Sequence, residues 1–303
     1  MEVYRIHMGK AKCAVDLGDG SERGEYVSQD YILAKMGRPH RSISLMYCYY
    51  PLDKGWPGRA SVVHASPDVS FAWDYPYDDY FTYKGGLGGN TDGEPFNYMR
   101  EIRQHGQDVS LTLTIDPHVS DEHLAAIGED LKPFGRVFLR INHEATGNWF
   151  SFNKRCTYQE VADFFVRASR IIKEHAPNVQ TIICIGGIED LSKEEMEKET
   201  EFAQTIPAAD IWSVDKYMAL HWGWPYDVAE HGGTTHSRGT VADTYEKTKR
   251  SFERFRYLNG GVAKPMTMAE FNADMCLFLE QWEDERSELR AYNSTQAAYK
   301  RWK

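Results

Sequence analysis

Two glutamates in this chain stand where a protein can use them for proton transfer and nucleophilic attack, Glu144 and Glu270. Glu144 belongs to Arg140-Ile141-Asn142-His143-Glu144-Ala145-Thr146-Gly147-Asn148-Trp149-Phe150, which continues the apolar run Val137-Phe138-Leu139. A cation, an amide, an imidazole and an acid arrive in quick succession at the end of a buried strand, and two aromatics follow. A carboxyl set against an aromatic wall has its charged form disfavoured, which is how a glutamate is kept protonated as a general acid near neutral pH. Glu270 ends a second apolar run, Met266-Thr267-Met268-Ala269, where an acid is costly unless it is paired or functional. Paired carboxylates across one cleft with aromatic walls are the equipment for cleaving a glycosidic bond. One protonates the leaving oxygen, and the other stabilises or attacks the anomeric carbon.

Acids so placed need a scaffold, and the patterning along the chain supplies one. Strand-like runs are Lys12–Leu17, Ser42–Cys48, Asp108–Ile115, Arg136–Ile141, Val179–Ile185, Asp210–Tyr217 and Lys264–Phe271. Helix-like runs alternate with them: Ser28–Met36, Pro95–His105, a helix capped by Ser120 and reaching Lys132, Ser192–Thr205, Val241–Leu258 and Glu285–Lys303. The sequence Thr157-Tyr158-Gln159-Glu160 is a capping box that opens a further helix to about His175. Between Pro51 and Asn90 the chain is irregular and rich in aromatics, Gly and Pro.

Strands spaced by helices of this length imply right-handed βαβ units and a parallel sheet. The expectation is an α/β fold, a (β/α)8 TIM barrel forming a single catalytic domain over residues 1–303, in which the eighth strand is not evident. Ala60–His64 or Val69–Trp73 would fill that place, or the chain ends before it.

Such a barrel carries its site at the C-terminal ends of the strands. Those ends offer Asp16; Tyr47, Tyr49 and Tyr50; Asp116 and His118; Asn142, His143 and Glu144; Asp215 and Tyr217, then His221, Trp222 and Trp224; and Glu270 with Asn272. An ion pair with Arg140 is the structural alternative for either glutamate. The presence of the second acid and of the aromatics favours catalysis.

Bulk properties narrow the field. A formal net charge of −10 argues against a sequence-independent nucleic-acid binder, which needs clustered Lys and Arg, and against an anionic membrane surface as partner. No apolar run approaches the roughly 18–20 residues of a membrane helix. Met1-Glu2-Val3-Tyr4-Arg5 is not the start of a signal peptide, while the class of function favours an exported protein. The five cysteines make no CxxC pair and read as free thiols, without a zinc site. His143-Glu144 is not HExxH, because Asn148 stands where the second His would be. Gly85-Gly86-Leu87-Gly88-Gly89 is not GxGxxG and reads as a mobile loop. No metal and no cofactor is expected, and the protein is expected to act as a monomer on a polysaccharide or oligosaccharide.

The phrase F-L-R-I-N-H-E-A-T-G-N-W-F resembles glycoside hydrolase family 26, the β-mannanase family of clan A, and K-P-M-T-M-A-E-F resembles that family's nucleophile strand. The early K-M-G-R-P-H-R-S-I-S-L-M-Y is similar to its second strand. The resemblance implies a retaining endo-β-glycanase, with Glu144 as acid/base after the fourth barrel strand and Glu270 as nucleophile after the seventh. Retention implies carboxyls roughly 5–5.5 Å apart. His143 would then hydrogen-bond near the sugar at the cleavage point, Trp149 would stack beside it, Tyr217 would hold the nucleophile, and Arg140 would stand behind them. Asn142, His118, Trp222 and Trp224 complete the expected substrate-binding set.

Three departures bear on the substrate, one being that the tryptophan the family carries on its eighth strand has no counterpart in this chain. Ser151-Phe152 stands where the family tends to have two tryptophans, and Ile141-Asn142 precedes His143 in place of Pro-Leu. They leave β-1,3-xylan and mixed-linkage β-glucan open beside β-1,4-mannan. A non-catalytic carbohydrate-binding barrel is the alternative of another class, and a metal-dependent hydrolase a third.

Overall fold

Apolar runs that alternate on a strand pair at the register that buries them, and the chain does this throughout a parallel sheet. The structure, a computed structural model, describes residues 17–18, 28–53, 56, 81–147, 152, 155–185, 199–218 and 241–273. At 17–18, 199–200, 216–218, 241–243 and 270–273 the description is of the backbone only. The strands are β1 (Leu17–Gly18), β2 (Ser42–Tyr49), β3 (Phe81–Thr82), β4 (Asp108–Ile115), β5 (Val137–Ile141), β6 (Val179–Cys184), β7 (Ile211–Met218) and β8 (Met266–Ala273). The α-helices are α1 (Gln29–Met36), α2 (Phe96–Gln104), α3 (Asp121–Leu131), α4 (Tyr158–His175), α5 (Thr205–Ala208) and α6 (Val241–Leu258).

Strand order is β1-β2-β4-β5-β6-β7-β8, with β3 beside β2, and the described pairings are parallel. This is the strand succession of a (β/α)8 chain, and the protein is of that α/β class. The short β3, which falls in the stretch expected to be irregular, takes the far end of β2 (Tyr47 with Phe81), whereas β1 takes the near end (Leu17 with Ile43). Its presence shifts later strand numbers by one, so the strand before Glu144 is β5 and the strand of Glu270 is β8. The segments Ala60–His64, Val69–Trp73 and Glu285–Lys303, and most of Lys12–Leu17, lie outside the described residues.

The chain divides into two compact units, Met1–Ile183 with Ala208–Asp210, and Cys184–Pro207 with Ile211–Lys303. In the first, cross-strand partners sort by face. Leu45, Leu111 and Leu139 are in register with one another and fully buried, and Thr181 follows them on β6. Thr181 Oγ1 meets Ser169 Oγ of α4 at 2.8 Å, which makes this the helix-facing side. The opposite face carries Ser44, Ser110 and Phe138, then Met46, Thr112 and Arg140, then Cys48 and Thr114. That face is the more polar one, and it leads to the strand ends that carry the candidate site.

The α4 capping box forms as the sequence requires. Glu160 N donates to Thr157 Oγ1 at 3.2 Å, and Thr157 N donates to Glu160 Oε2 at 2.7 Å. Ser120 occupies the N-cap of α3, yet its side chain makes no capping bond; Asp121 and Glu122 supply the negative charge that the helix N-terminus favours. The glycine-rich stretch expected to be mobile is anchored to α3. Gly86 N donates to Asp130 Oδ2 at 2.6 Å, Tyr83 Oη donates to the same oxygen at 3.0 Å, and Leu87 N donates to Tyr49 Oη at 3.2 Å. Tyr49 Oη in turn meets His123 Nδ1 at 2.7 Å. Burial raises the Asp130 pKa, opposed by the Gly86 N–H and the Tyr83 hydroxyl.

In the second unit Trp212 packs its ring at 5.9 Å from Phe252 and 5.7 Å from Phe255 of α6, and its Nε1 donates to the Ile206 carbonyl at 3.0 Å. The expected helix Ser192–Thr205 is described only in its last part, which is a 3-10 turn at Glu199–Phe202 followed by α5. Thr205 Oγ1 takes the Phe202 carbonyl at 2.8 Å, a side-chain bond that competes with continuing the helix. Asp210, expected to begin β7, precedes that strand in the chain and belongs to the first unit. Its carboxylate accepts from Thr181 N at 2.9 Å and from Lys173 Nζ at 2.6 Å. Among the described residues no helix is long and apolar enough to cross a membrane.

Candidate active site

The end of β5 is built by a change of backbone hand. Asn142 N donates to the Leu113 carbonyl at 3.1 Å, which continues the ladder with β4. The residue then turns into the left-handed region, at φ 53°, which Asn tolerates better than most side chains. A regular parallel ladder would next bond the Ile115 N–H to the carbonyl of residue 142. Asn142 Oδ1 accepts that N–H instead, at 2.7 Å, so the side chain replaces its own backbone carbonyl.

Two further bonds hold the turn that carries Glu144. Arg140 Nε donates to the His143 carbonyl at 3.0 Å, and Gly147 N donates to the Glu144 carbonyl at 2.8 Å. Arg140, Asn142 and His143 are buried, at 3%, 2% and 4% exposed, while Glu144 is half-buried. A buried imidazole thus precedes an acid that solvent and ligand can reach, at the C-terminal edge of a parallel sheet. Asn142 Nδ2 and Thr114 Oγ1, both buried, have no hydrogen-bond partner among the described residues.

A charged network joins the neighbouring strand ends. Arg155 donates to both oxygens of Asp53, at 3.1 and 2.6 Å, and to Asp116 Oδ2 at 3.4 Å. Its guanidinium lies 4.9 Å from the centre of the Tyr50 ring. Burial works against the Arg155 charge; the pairing with Asp53, aided by Tyr50 and Asp116, outweighs it and raises the pKa. Asp116 Oδ1 also accepts from His118 N at 2.9 Å and faces His118 Nδ1 at 3.1 Å. This ties the segments after β2, β4 and β5 together within the first unit. The side chain of His118 is 56% exposed, open to a ligand.

Cys156 Sγ lies 3.8 Å from His118 Nε2, so thiol, imidazole and the Asp116 carboxylate stand in the order of a nucleophile, base and orienting acid. The electrostatics oppose that use. Burial, together with the carboxylates of Glu160 and Asp116, pushes the thiol up to about 11, against a smaller lowering by Arg155. At pH 8 its thiolate fraction is about 10²-fold below that of an ordinary cysteine, and higher intrinsic nucleophilicity returns only about tenfold. Alkylation by iodoacetamide at pH 8, followed peptide by peptide in a mass spectrometer, should therefore lag about tenfold behind free glutathione at Cys156. Labelling at the glutathione rate would contradict the raised pKa and reopen a thiol mechanism.

In the second unit the sequence places Glu270 after an apolar run, whereas β8 continues through it to Ala273. Register with β7 is regular from Trp212 with Met266 to Val214 with Met268, and resumes at Lys216 with Phe271 and Tyr217 with Asn272. Asp215 alone therefore opposes Ala269 and Glu270, a β-bulge at the candidate acid. Tyr217 lies on β7 two residues beyond Asp215, with its backbone described and its side chain not. Trp149, Trp222 and Trp224 lie outside the described residues.

Of the expected set, the structure brings Arg140, Asn142, His143 and Glu144 together at one strand end and sets His118 at the end of the adjacent strand. Asp53, Arg155 and Ser213 escaped the sequence analysis. Asp53 and Arg155 are 102 residues apart, so no local pattern links them. A clue to Arg155 was available in its place after β5, in the same kind of loop as Glu144.

No family model matches the sequence, and no curated protein matches it. Among solved structures the chain is similar to a family 51 α-L-arabinofuranosidase from Bifidobacterium longum, with 12% identity over 66% of this chain and a TM-score of 0.38. The match spans 41% of that protein's length. It is also similar to a GH53 catalytic domain from Ignisphaera aggregans, with 12% identity, 86% of this chain, 83% of the other and a TM-score of 0.39.

Proposed function

We propose that the chain is a retaining glycoside hydrolase of the clan A type, acting on a β-linked polysaccharide. The observation that carries this is the end of β5, where buried His143 and half-buried Glu144 are held at a strand's C-terminal edge by the left-handed turn at Asn142. Backbone geometry of that kind is expensive, and it clusters where a side chain must be aimed.

In this mechanism Glu144, protonated, donates to the glycosidic oxygen as the bond to C1 breaks. Glu270 attacks C1 through an oxocarbenium-like transition state. Glu144, now ionised, takes a proton from water, and that water releases the glycosyl-enzyme with overall retention. Arg140 acts from behind by fixing the His143 carbonyl. His143, His118, Tyr217, Trp149, Trp222 and Trp224 bind the sugars. Asn142 binds them too, since its unpartnered Nδ2 and Thr114 Oγ1 are met by a bound sugar's hydroxyls, which satisfies two costly buried groups.

The favoured substrate is β-1,4-mannan, cleaved internally, with β-1,3-xylan and mixed-linkage β-glucan next. A reducing-sugar assay across β-mannan, glucomannan, β-1,3-xylan, mixed-linkage β-glucan and β-1,4-xylan tests this, with NMR of the first-formed anomer. Release of β-anomer product from one of them is the expected outcome. A first product of inverted configuration would remove Glu270 as nucleophile. Tight binding of intact oligosaccharide by calorimetry, without cleavage on long incubation, would make the protein a binding module.

A further inference from the structure

We propose that Asp116 is a positioning residue for His118: it fixes the imidazole with its proton on Nδ1, so that Nε2 accepts a hydrogen bond from a sugar hydroxyl. This rests on His118 being a sugar contact, as read above. Local sequence sets up the pair. Asp116 N donates to the Tyr49 carbonyl at 3.0 Å, which extends the ladder between β2 and β4 by one residue. Pro117 has no N–H to give, so His118 N is the first donor beyond it. Asp116 Oδ1 accepts that N–H at 2.9 Å and closes an Asx turn, and the ring of the same histidine returns to this oxygen with Nδ1 at 3.1 Å. Val119 N donates to the Asp116 carbonyl at 3.2 Å and holds the turn closed.

The place of the proton follows from what a carboxylate offers. It has lone pairs only, so a ring nitrogen bonded to it must donate. Asp116 is held in this role from its other side, since Oδ2 accepts from Arg155 Nη1 at 3.4 Å and Arg155 is anchored on Asp53. At 3% exposed, Asp116 leaves little room for water to compete. A neutral imidazole with its proton on Nδ1 presents a lone pair at Nε2. Cys156 does not occupy that lone pair. Its Sγ is 3.8 Å from Nε2 and 4.0 Å from Nδ1, whereas a donor in line with the Nε2 lone pair would stand much farther from Nδ1. The His118 side chain is 56% exposed, so a ligand can reach this acceptor. Without Asp116 the proton is free to settle on Nε2, and the acceptor becomes a donor.

The parent, Asp116→Asn, Asp116→Ala, His118→Ala and the double alanine variant are compared. Nitrogen-15 NMR of histidine-labelled protein at about pH 8.5, where an imidazole is ordinarily neutral, reads which ring nitrogen carries the proton. His118→Ala identifies the signal. The parent should show Nδ1–H, and so should Asp116→Asn, whose side-chain oxygen still faces the ring. Asp116→Ala should shift toward Nε2–H. On whichever substrate in the panel is cleaved, Asp116→Ala should raise KM about tenfold with kcat within about twofold, as for one hydrogen bond made alike to substrate and transition state. Asp116→Asn should recover KM to within a few-fold of the parent, and the double variant should be no worse than His118→Ala alone. Nε2–H in the parent would overturn the proposal, and that spectrum decides even where Asp116→Ala fails to fold. A changed tautomer with unmoved KM would overturn it too. A further loss on adding Asp116→Ala to His118→Ala would mean that Asp116 only supports the fold. If the parent binds oligosaccharide without cleaving it, the hydrolase reading falls, and Kd by calorimetry takes the place of KM in the same comparison. If it neither cleaves nor binds, the sugar contact of His118 is overturned with it.

Discussion

Glu270→Ala is expected to lower kcat by about 10⁴-fold or more, and azide should restore part of the turnover with a product of inverted configuration. The size follows from the two-step mechanism. Without the carboxylate no glycosyl-enzyme forms, and the space vacated by the side chain admits a small anion that attacks C1 from the same side. Glu144 still protonates the leaving oxygen, so the product is a glycosyl azide of opposite anomeric configuration. The rescue separates this role from a general structural one, because a damaged fold is not repaired by azide. Parental turnover in the variant would sink the assignment. Inactivity without rescue on an activated aryl glycoside would remove the nucleophile role and leave a metal-dependent hydrolase as the alternative.

Asn142→Ala is expected to destabilise the protein by about 2–3 kcal/mol and to lower kcat by at least about tenfold. Two costs add. Alanine at φ 53° incurs the left-handed penalty, about 1–2 kcal/mol. Loss of Oδ1 strands the N–H of fully buried Ile115, about 1–3 kcal/mol, and removing the unmet Nδ2 returns part of that. Glycine separates the terms, since it accepts the left-handed backbone and lacks the acceptor. Asn142→Gly should therefore recover about 1 kcal/mol relative to alanine. Urea unfolding of the two variants and the parent measures it. An alanine variant within about 0.5 kcal/mol of the parent, or a glycine variant less stable than alanine, would contradict this account of the β5 end. Loss of activity accompanies loss of stability because the same turn carries His143 and Glu144.

The backbone is irregular beside both acids, and no motif announces it. At the end of β5 the backbone leaves the regular ladder and Asn142 Oδ1 takes the stranded Ile115 N–H, while in β8 Ser213 Oγ accepts from Ala269 N beside the bulge. A regular ladder dictates alternation, so a residue can be re-aimed only by breaking it, and the break needs an acceptor in place of the lost carbonyl.

Sequence alone determined the elements whose signals are local. The strand Asp108–Ile115 and the helix Val241–Leu258 have the bounds that their patterns indicate, and the Thr157–Glu160 box forms both of its bonds. Period and caps act within a few residues, so they can be seen without the fold. The same locality placed Arg140, Asn142, His143 and Glu144 at the end of a strand.

Tertiary structure alone decided the rest, because each remaining feature joins residues far apart in the chain. Arg155 reaches Asp53 across 102 residues, and Asp130 anchors Gly86 across 44. Ser213 meets Ala269 only because β7 lies beside β8. The backbone at Ala269 and Glu270 bulges through a one-residue slip between two paired strands. A slip of register has no signature in either strand by itself: it exists only in their pairing.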